Sequence, residues 1–261
     1  MDTDLSKYLD FAIETAYLAG RATLGFYRTG LRPDMKADNT PVTAADRTAE
    51  QIIRTRIKER YPEHALLGEE YGMDGRDNAS HRWIIDPIDG TKQFVRGLPL
   101  FGVLIGLEIE GKTEVGVAYF PAVDEMISAA NGQGCWWNGR RAYVSEVRNL
   151  KEGVFMFEAA HFPFLRQAWD EITKATYHQM GWGDAYSYIL VATGRAEMAI
   201  DSGMQVWDCG PLAPILNEAG GYFGDWEGHP LSYGREVMAT TPHLLSQAIE
   251  LAAKIRASSA D

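Results

Sequence analysis

Cysteine is nearly absent. The 261-residue chain has two, Cys135 and Cys209. One pairing is arithmetically possible, but two thiols do not build a disulfide scaffold, and the plainer expectation is two reduced thiols in a cytoplasmic protein. Positive charge is scarce as well: 25 Lys and Arg stand against 36 Asp and Glu, a formal net charge of −11. A nucleic-acid binder that works by counterion release needs a basic face, so nucleic acid is not an expected partner. A phosphorylated substrate stays open, provided metal ions supply the positive charge. Long apolar runs are missing too. No stretch approaches about eighteen uninterrupted apolar residues, so no membrane-spanning helix is expected. The N-terminus carries Asp2 and Asp4 where a secretory signal would carry Lys or Arg. What remains is ordinary globular composition, 46% hydrophobic and 23% charged, enough for one large domain or two fused halves.

Leu5, Leu9, Ala12, Ile13, Ala16 and Ala19 fall on one helical stripe, which predicts an amphipathic first helix fading near Arg28. A polar stretch from Gly30 to Pro41 follows. Thr43 reads as an N-cap with Asp46 three residues on, opening a helix that runs to about Arg60 before Pro62. Short apolar runs at Ala65–Leu67 and Trp83–Ile85 end in Gly68-Glu69-Glu70 and Asp86-Pro87. Leu98–Glu108, Val115–Phe120, Met126–Ala130 and the region from Trp136 to Val144 read as strands, with Asn138-Gly139 as a hairpin turn. A second half is expected from about 149, after a first half of about 1–148. It holds strands at Val154–Phe157, Ala196–Ile200 and Val237–Ala239. Its helices are expected at Phe164–Thr173, Asp184–Ala192, Trp207–Ala219 and Pro242 to about Arg256. The mixed order, with an antiparallel run in the middle, points to layered α/β or α+β.

Gly106 to Thr113 matches the G-x-x-x-x-G-K-[ST] pattern of phosphate loops letter for letter. Its context is wrong. Leu107 and Ile109 alternate with Glu108 and Glu110, which is strand periodicity, and two carboxylates inside the cradle would repel an anion. The segment is expected to be a hairpin with its turn at Gly111-Lys112.

Chemistry concentrates instead in Trp83-Ile84-Ile85-Asp86-Pro87-Ile88-Asp89-Gly90-Thr91. An apolar strand delivers one carboxylate, Pro87 bends the chain, and Asp89 returns a second carboxylate close to the first. Such crowding is tolerable around a cation, and oxygen donors without His or Cys favour Mg²⁺ or Mn²⁺ over zinc. The alternative is an Asp-Pro turn with Asp89 capping a helix. Other acidic positions also have plain readings: Glu69-Glu70 as a solvated pair, Asp208 as an acid at a helix start, Thr43 and Asp46 as a capping box.

In order along the chain, these segments resemble the inositol monophosphatase family of metal-dependent phosphatases. The likeness rests on Pro41-Val42-Thr43-Ala44-Ala45-Asp46, Gly68-Glu69-Glu70, Trp83 to Thr91, and Val206-Trp207-Asp208 with Glu218-Ala219-Gly220-Gly221 behind it. Lys36 falls where the family often has lysine. The resemblance implies an αβαβα five-layer sandwich. It also implies up to three Mg²⁺ ions on Glu69, Asp86, Asp89, Asp208 and the Ile88 carbonyl, with Mn²⁺ as a possible substitute. Asp46 and Thr91 would form a hydrogen-bonded pair that helps deprotonate the attacking water, with Glu69 beside them in the catalytic set. The N–H groups of Gly90 and Thr91 would hold phosphate oxygens. A small phosphomonoester as substrate and a homodimer as assembly are implied by the same likeness.

Within the family, Lys92-Gln93-Phe94 is similar to both the histidinol-phosphate and the phosphonucleotide branches, and the continuation Gly97-Leu98-Pro99-Leu100-Phe101-Gly102 to the histidinol-phosphate branch. Gly183-Asp184-Ala185-Tyr186-Ser187-Tyr188 is similar to the histidinol-phosphate branch as well. Histidinol phosphate carries an ammonium and an imidazole, and Asp184 would pair with one of them; the plain reading of Asp184 is an N-cap. Asp201, seven residues before Asp208, falls where the family places an acidic substrate contact, as does Asp208 itself. Trp182 would line the pocket or simply pack. Inositol 1-phosphate and then a 3′-phosphonucleotide are the alternative substrates. A non-catalytic regulatory relative is disfavoured because Asp46, Thr91 and the carboxylates are all present.

Overall fold

The first helix, α1 (Ser6–Thr23), buries the predicted stripe of Leu9, Ala12, Ala16 and Ala19. In this computed structural model residues 4–30, 32–35, 41–76, 78–157, 165–181 and 183–257 are described, 165–168 by their backbone. Strands β1 (Asp34–Met35) and β2 (Pro41–Val42) pair with each other ahead of α2 (Ala44–Arg60). The capping box at Thr43 forms: Ala45 N–H donates to Thr43 Oγ1 at 3.1 Å, and Thr43 N–H donates to Asp46 Oδ2 at 2.8 Å.

An eight-stranded sheet follows, from β3 (Ala65–Gly68), β4 (Gly72–Asp74), β5 (His81–Asp89), β6 (Gly102–Ile109), β7 (Lys112–Phe120), β8 (Glu125–Ala130), β9 (Gly134–Trp137) and β10 (Arg140–Arg141). Its order is β10-β9-β8-β7-β6-β5-β3-β4, antiparallel except where β3 lies parallel to β5. The short helix α3 (Thr91–Val95) leaves the end of β5. The second sheet has five strands, β11 (Val154–Phe157), β12 (His178–Gly181), β13 (Met198–Ser202), β14 (Tyr222–Gly224) and β15 (Glu236–Thr240), in the order β12-β11-β13-β15-β14. Helices α4 (Leu165–Ala175), α5 (Ala185–Ala192), α6 (Val206–Glu218) and α7 (Leu245–Ala257) complete the described chain.

Three apolar clusters stack these elements. α1 and α2 close one face of the first sheet over Trp83, Ile85, Ile105 and Val117. α5 and α6 fill the space between the sheets, with Ile189, Leu212 and Leu216 meeting Leu104 and Ile127 on one side and Ala199 and Val237 on the other. Ala248, Leu251 and Ile255 of α7 cover the outer face of the second sheet over Phe155, Met198 and Ile200. The result is the expected αβαβα layering. α6 sits close against the first sheet because Gly106 and Gly116 have no side chain there; a Cβ on Gly116 would overlap the Pro211 carbonyl.

Some boundaries differ from expectation. α1 ends at Thr23, five residues early, in turns that include Arg28 at φ 60°. The β6–β7 turn is Glu110-Gly111, both at positive φ, one residue earlier than predicted; the phosphate-loop pattern is a hairpin. The closing helix begins at Leu245 and not at Pro242, because a turn with Leu244 N–H on Thr241 O comes first. The strand expected at Ala196–Ile200 is shifted to Met198–Ser202. Edge strands β4, β12 and β14 carried no alternating pattern to predict them: β12 reads His-Gln-Met-Gly and is mostly exposed. Lys36, Trp182 and the expected helix start at Phe164 lie outside the described residues.

Candidate active site

β5 is buried on both sides from Trp83 to Asp89, so it delivers its terminal carboxylates into protein and not into solvent. The register between β5 and β6 slips between Asp86 and Asp89, where Pro87 cannot join the ladder. The slip brings both carboxylates to one end of the strand. Ile88 N–H donates to Asp86 Oδ1 at 3.0 Å and tightens the bend. Gly90 then adopts φ 77°, a left-handed conformation suited to glycine, and α3 begins.

Two other segments complete the cluster. Asp208 sits in the first turn of α6 and accepts from Gln205 N–H at 2.7 Å through Oδ2. Carboxylate oxygens of Asp86, Asp89 and Asp208 all lie within 4.8 Å of one another. Glu69, in the turn after β3, faces Asp86 and donates its N–H to Ile85 O at 3.2 Å. Asp201 at the end of β13 is buried and near Asp208. These residues, with Ile88, Gly90, Thr91 and Asp184, border one cleft of about 340 Å³. Glu69 is half-buried on the cleft wall, and Asp89 caps no helix of its own segment but accepts from the first N–H of α5.

Crowding sets the electrostatics. Burial, then the charges of Glu69, Asp89 and Asp208, push the Asp86 carboxyl well above the usual range. Burial, then Asp184 and Asp208, do the same to Asp89. The cleft reaches Asp208, yet protein surrounds its carboxylate. Burial pushes it up to about 7 despite the Gln205 hydrogen bond, with Glu69 adding to the rise. A cluster of oxygen donors whose charges are this poorly compensated fits a hard divalent cation, because the cation supplies the opposite charge at the point of repulsion. Glu69, Asp86, Asp89 and Asp208 would hold it.

Asp46 and Thr91 meet as the resemblance implied. Thr91 Oγ1 lies 3.3 Å from Asp46 Oδ1 and 3.0 Å from the Ile88 carbonyl. Asp46 is fully buried, and burial raises its pKa against the hydrogen bonds that Thr43 donates.

A scan against family profiles matches residues 4–259 to the inositol monophosphatase family. The chain belongs to the inositol monophosphatase family. Among its relatives, a histidinol-phosphatase of Chlorobaculum parvum is 42% identical over 84% of this chain and 86% of its own length. The Nus factor SuhB of Pasteurella multocida is 32% identical over 93% of this chain and 94% of its own. Among solved structures, an inositol monophosphatase from Anabaena superposes with TM-score 0.86 at 28% identity, covering 97% of each chain. Enzymes of the inositol monophosphatase family are metal-dependent phosphatases, which agrees with the acidic cluster.

Two placements were not legible beforehand. Asp184 occupies the N-cap position of α5 at φ 39°, but its side chain makes no cap bond; Asp89 Oδ2 accepts from Ala185 N–H at 3.0 Å instead. The Asp184 carboxylate turns to the buried Gln93 side chain, whose Nε2 donates to Oδ2. Gln93 itself was quoted only for its likeness to two branches. Its position three residues after Gly90 on α3 was the available signal, since that spacing returns a side chain toward the helix start.

Proposed function

We propose that the chain is a Mg²⁺-dependent phosphomonoester hydrolase acting on histidinol phosphate. The placement of Asp184 carries the substrate: its carboxylate stands on the cleft wall beside Asp89, held by Gln93 and not spent on capping α5. A substrate with a phosphate at one end and an ammonium and imidazole at the other suits a cation-loaded cluster flanked by a further carboxylate. The 42% identical relative named as a histidinol-phosphatase supports the same reading. Inositol 1-phosphate is the second reading, favoured by the likeness to the Anabaena inositol monophosphatase.

In this reading Glu69, Asp86, Asp89, Asp208 and the Ile88 carbonyl hold two or three ions, with Mn²⁺ able to substitute. Bound Mg²⁺ neutralises the transferring phosphoryl group and lowers the pKa of the attacking water. The chain's own groups do the rest. The N–H groups of Gly90 and Thr91 hold phosphate oxygens. Thr91 stands between the reaction centre and Asp46, whose raised pKa lets it take the proton that the water gives up. Asp201 and Asp208 would contact the substrate, and the assembly would be a homodimer.

A kinetic panel with histidinol phosphate and inositol 1-phosphate tests the substrate, and excess EDTA should abolish turnover of either. Asp184→Ala should lower catalytic efficiency on histidinol phosphate roughly ten- to a hundredfold, the worth of one charge-assisted hydrogen bond of about 1.5–3 kcal/mol. Hydrolysis of p-nitrophenyl phosphate should change little. An equal loss on both substrates would count against a cation-pairing Asp184.

A further inference from the structure

Behind the carboxylate cluster lies a buried ion pair that the proposed chemistry leaves unused. Glu50 of α2 is fully buried and its partner Arg54, one helical turn on, nearly so. Arg54 Nε donates to Glu50 Oε1 at 2.7 Å. The remaining acceptor capacity of Glu50 goes to two backbone donors: Glu70 N–H to Oε2 at 2.8 Å and Tyr71 N–H to Oε1 at 3.3 Å. Arg54 Nη2 continues the chain by donating to the Gly72 carbonyl. Gly68 leaves the space for this carboxylate, since a Cβ there would collide with Glu50 Oε1.

These bonds converge on one turn. Residue 69 is tied on its N-terminal side by its own N–H to Ile85 O. On its C-terminal side, Glu50 ties the next two peptide groups. A buried ion pair is costly to desolvate and weak evidence for stability, but Glu50 accepts here from three donors, Arg54 Nε and the N–H groups of Glu70 and Tyr71, and the last two belong to the peptides that follow Glu69. Side-chain contacts of this kind, one step from a ligand, orient it and typically change metal affinity by 10–100-fold when removed.

We infer that Glu50, clamped by Arg54, is a positioning residue that presents Glu69 to the divalent cation. The inference rests on the reading of Glu69 as a metal ligand. It adds that the affinity of the site is set in part from α2, by a residue that touches neither metal nor substrate.

The test is calorimetric titration of the full-length, metal-stripped protein with Mn²⁺ alone, without substrate. Glu50→Gln leaves one acceptor oxygen and removes the charge that Arg54 pairs with. Glu50→Asp keeps that charge but withdraws it from the Glu70 N–H by one methylene. Both should weaken Mn²⁺ binding about tenfold or more. The Mg²⁺ concentration for half-maximal turnover should rise in parallel, while KM for the phosphomonoester at saturating Mg²⁺ stays within about twofold. Glu69→Gln is the reference, and Leu251→Ala, in the core of the second sheet, is the control for lost stability alone. If Glu69→Gln binds Mn²⁺ normally, the ligand reading itself fails. If Glu69→Gln weakens binding but Glu50→Asp does not, only the positioning role fails. A loss of equal size in Leu251→Ala also overturns it. Should Glu50→Gln not fold, Glu50→Asp decides the matter.

Discussion

The two ends of β5 are built from opposite materials. At His81 and Trp83 the strand enters an aromatic cluster: the His64 and His81 rings stack 4.5 Å apart, and Tyr61 stacks on His64 at 4.8 Å. Trp83 Nε1 donates to His64 Nδ1 at 3.1 Å, so the buried indole is satisfied. At Asp86 and Asp89 the same strand ends among carboxylates that repel one another. Both ends are enclosed, but only the first is resolved by packing. Burial there suppresses charge: it holds His64 down to about 4, with the His81 charge adding to the effect. At the other end burial raises the cost of charges the fold keeps together. The contrast sets satisfied packing at one end of the strand and an uncompensated acidic cluster at the other.

Asp89→Asn should separate the ends most sharply. Activity should fall by on the order of a hundredfold or more, about 2.7 kcal/mol of barrier. The metal-free protein should stay folded, because an amide oxygen can still accept from Ala185 N–H and one repelling charge is gone. Kinetics and circular dichroism on one preparation check both parts; near-wild-type turnover would remove Asp89 from the site. Trp83→Phe should do the reverse. It keeps a ring but loses the bond to His64, costing about 1–2 kcal/mol of stability in denaturant titration with kcat unchanged.

Acid should act on the two ends in opposite directions, with the smallest effect of the three. The folded-state pKa of His64 lies below its unfolded value of 6.5, so its contribution is present above that value and lost as pH falls toward about 4. Asp208 in metal-free protein is raised to about 7, so its protonated form favours the fold at low pH and that favour is lost as pH rises through 7. Thermal unfolding of the EDTA-treated protein across pH 4–8 should therefore lose its low-pH limb in His64→Gln and part of its high-pH slope in Asp208→Asn. Indistinguishable profiles in both variants would mean that neither group titrates as placed.

The sequence alone determined the helices with a clean period, since an apolar stripe such as Leu9, Ala12, Ala16 and Ala19 needs only one face to be buried. It also determined the Thr43 capping box, whose bond spans three residues, and the Asn138-Gly139 turn, whose two positive-φ residues join the paired Trp137 and Arg140. The acidic residues of the site were legible as a set, because their spacing resembled a family. What each does was not legible, because every one also had a local explanation.

Tertiary structure decided those cases through contacts of long sequence separation. Asp184 looked like the cap of its own helix, yet the cap comes from Asp89, 96 positions away. Gln93 holds Asp184 across 91 positions, and Glu50 reaches the turn after Glu69 from a different helix. Side chains compete for backbone donors only once the layers have packed. The winner is set by which carboxylate the sheets and helices bring within about 3 Å, a distance no periodicity encodes.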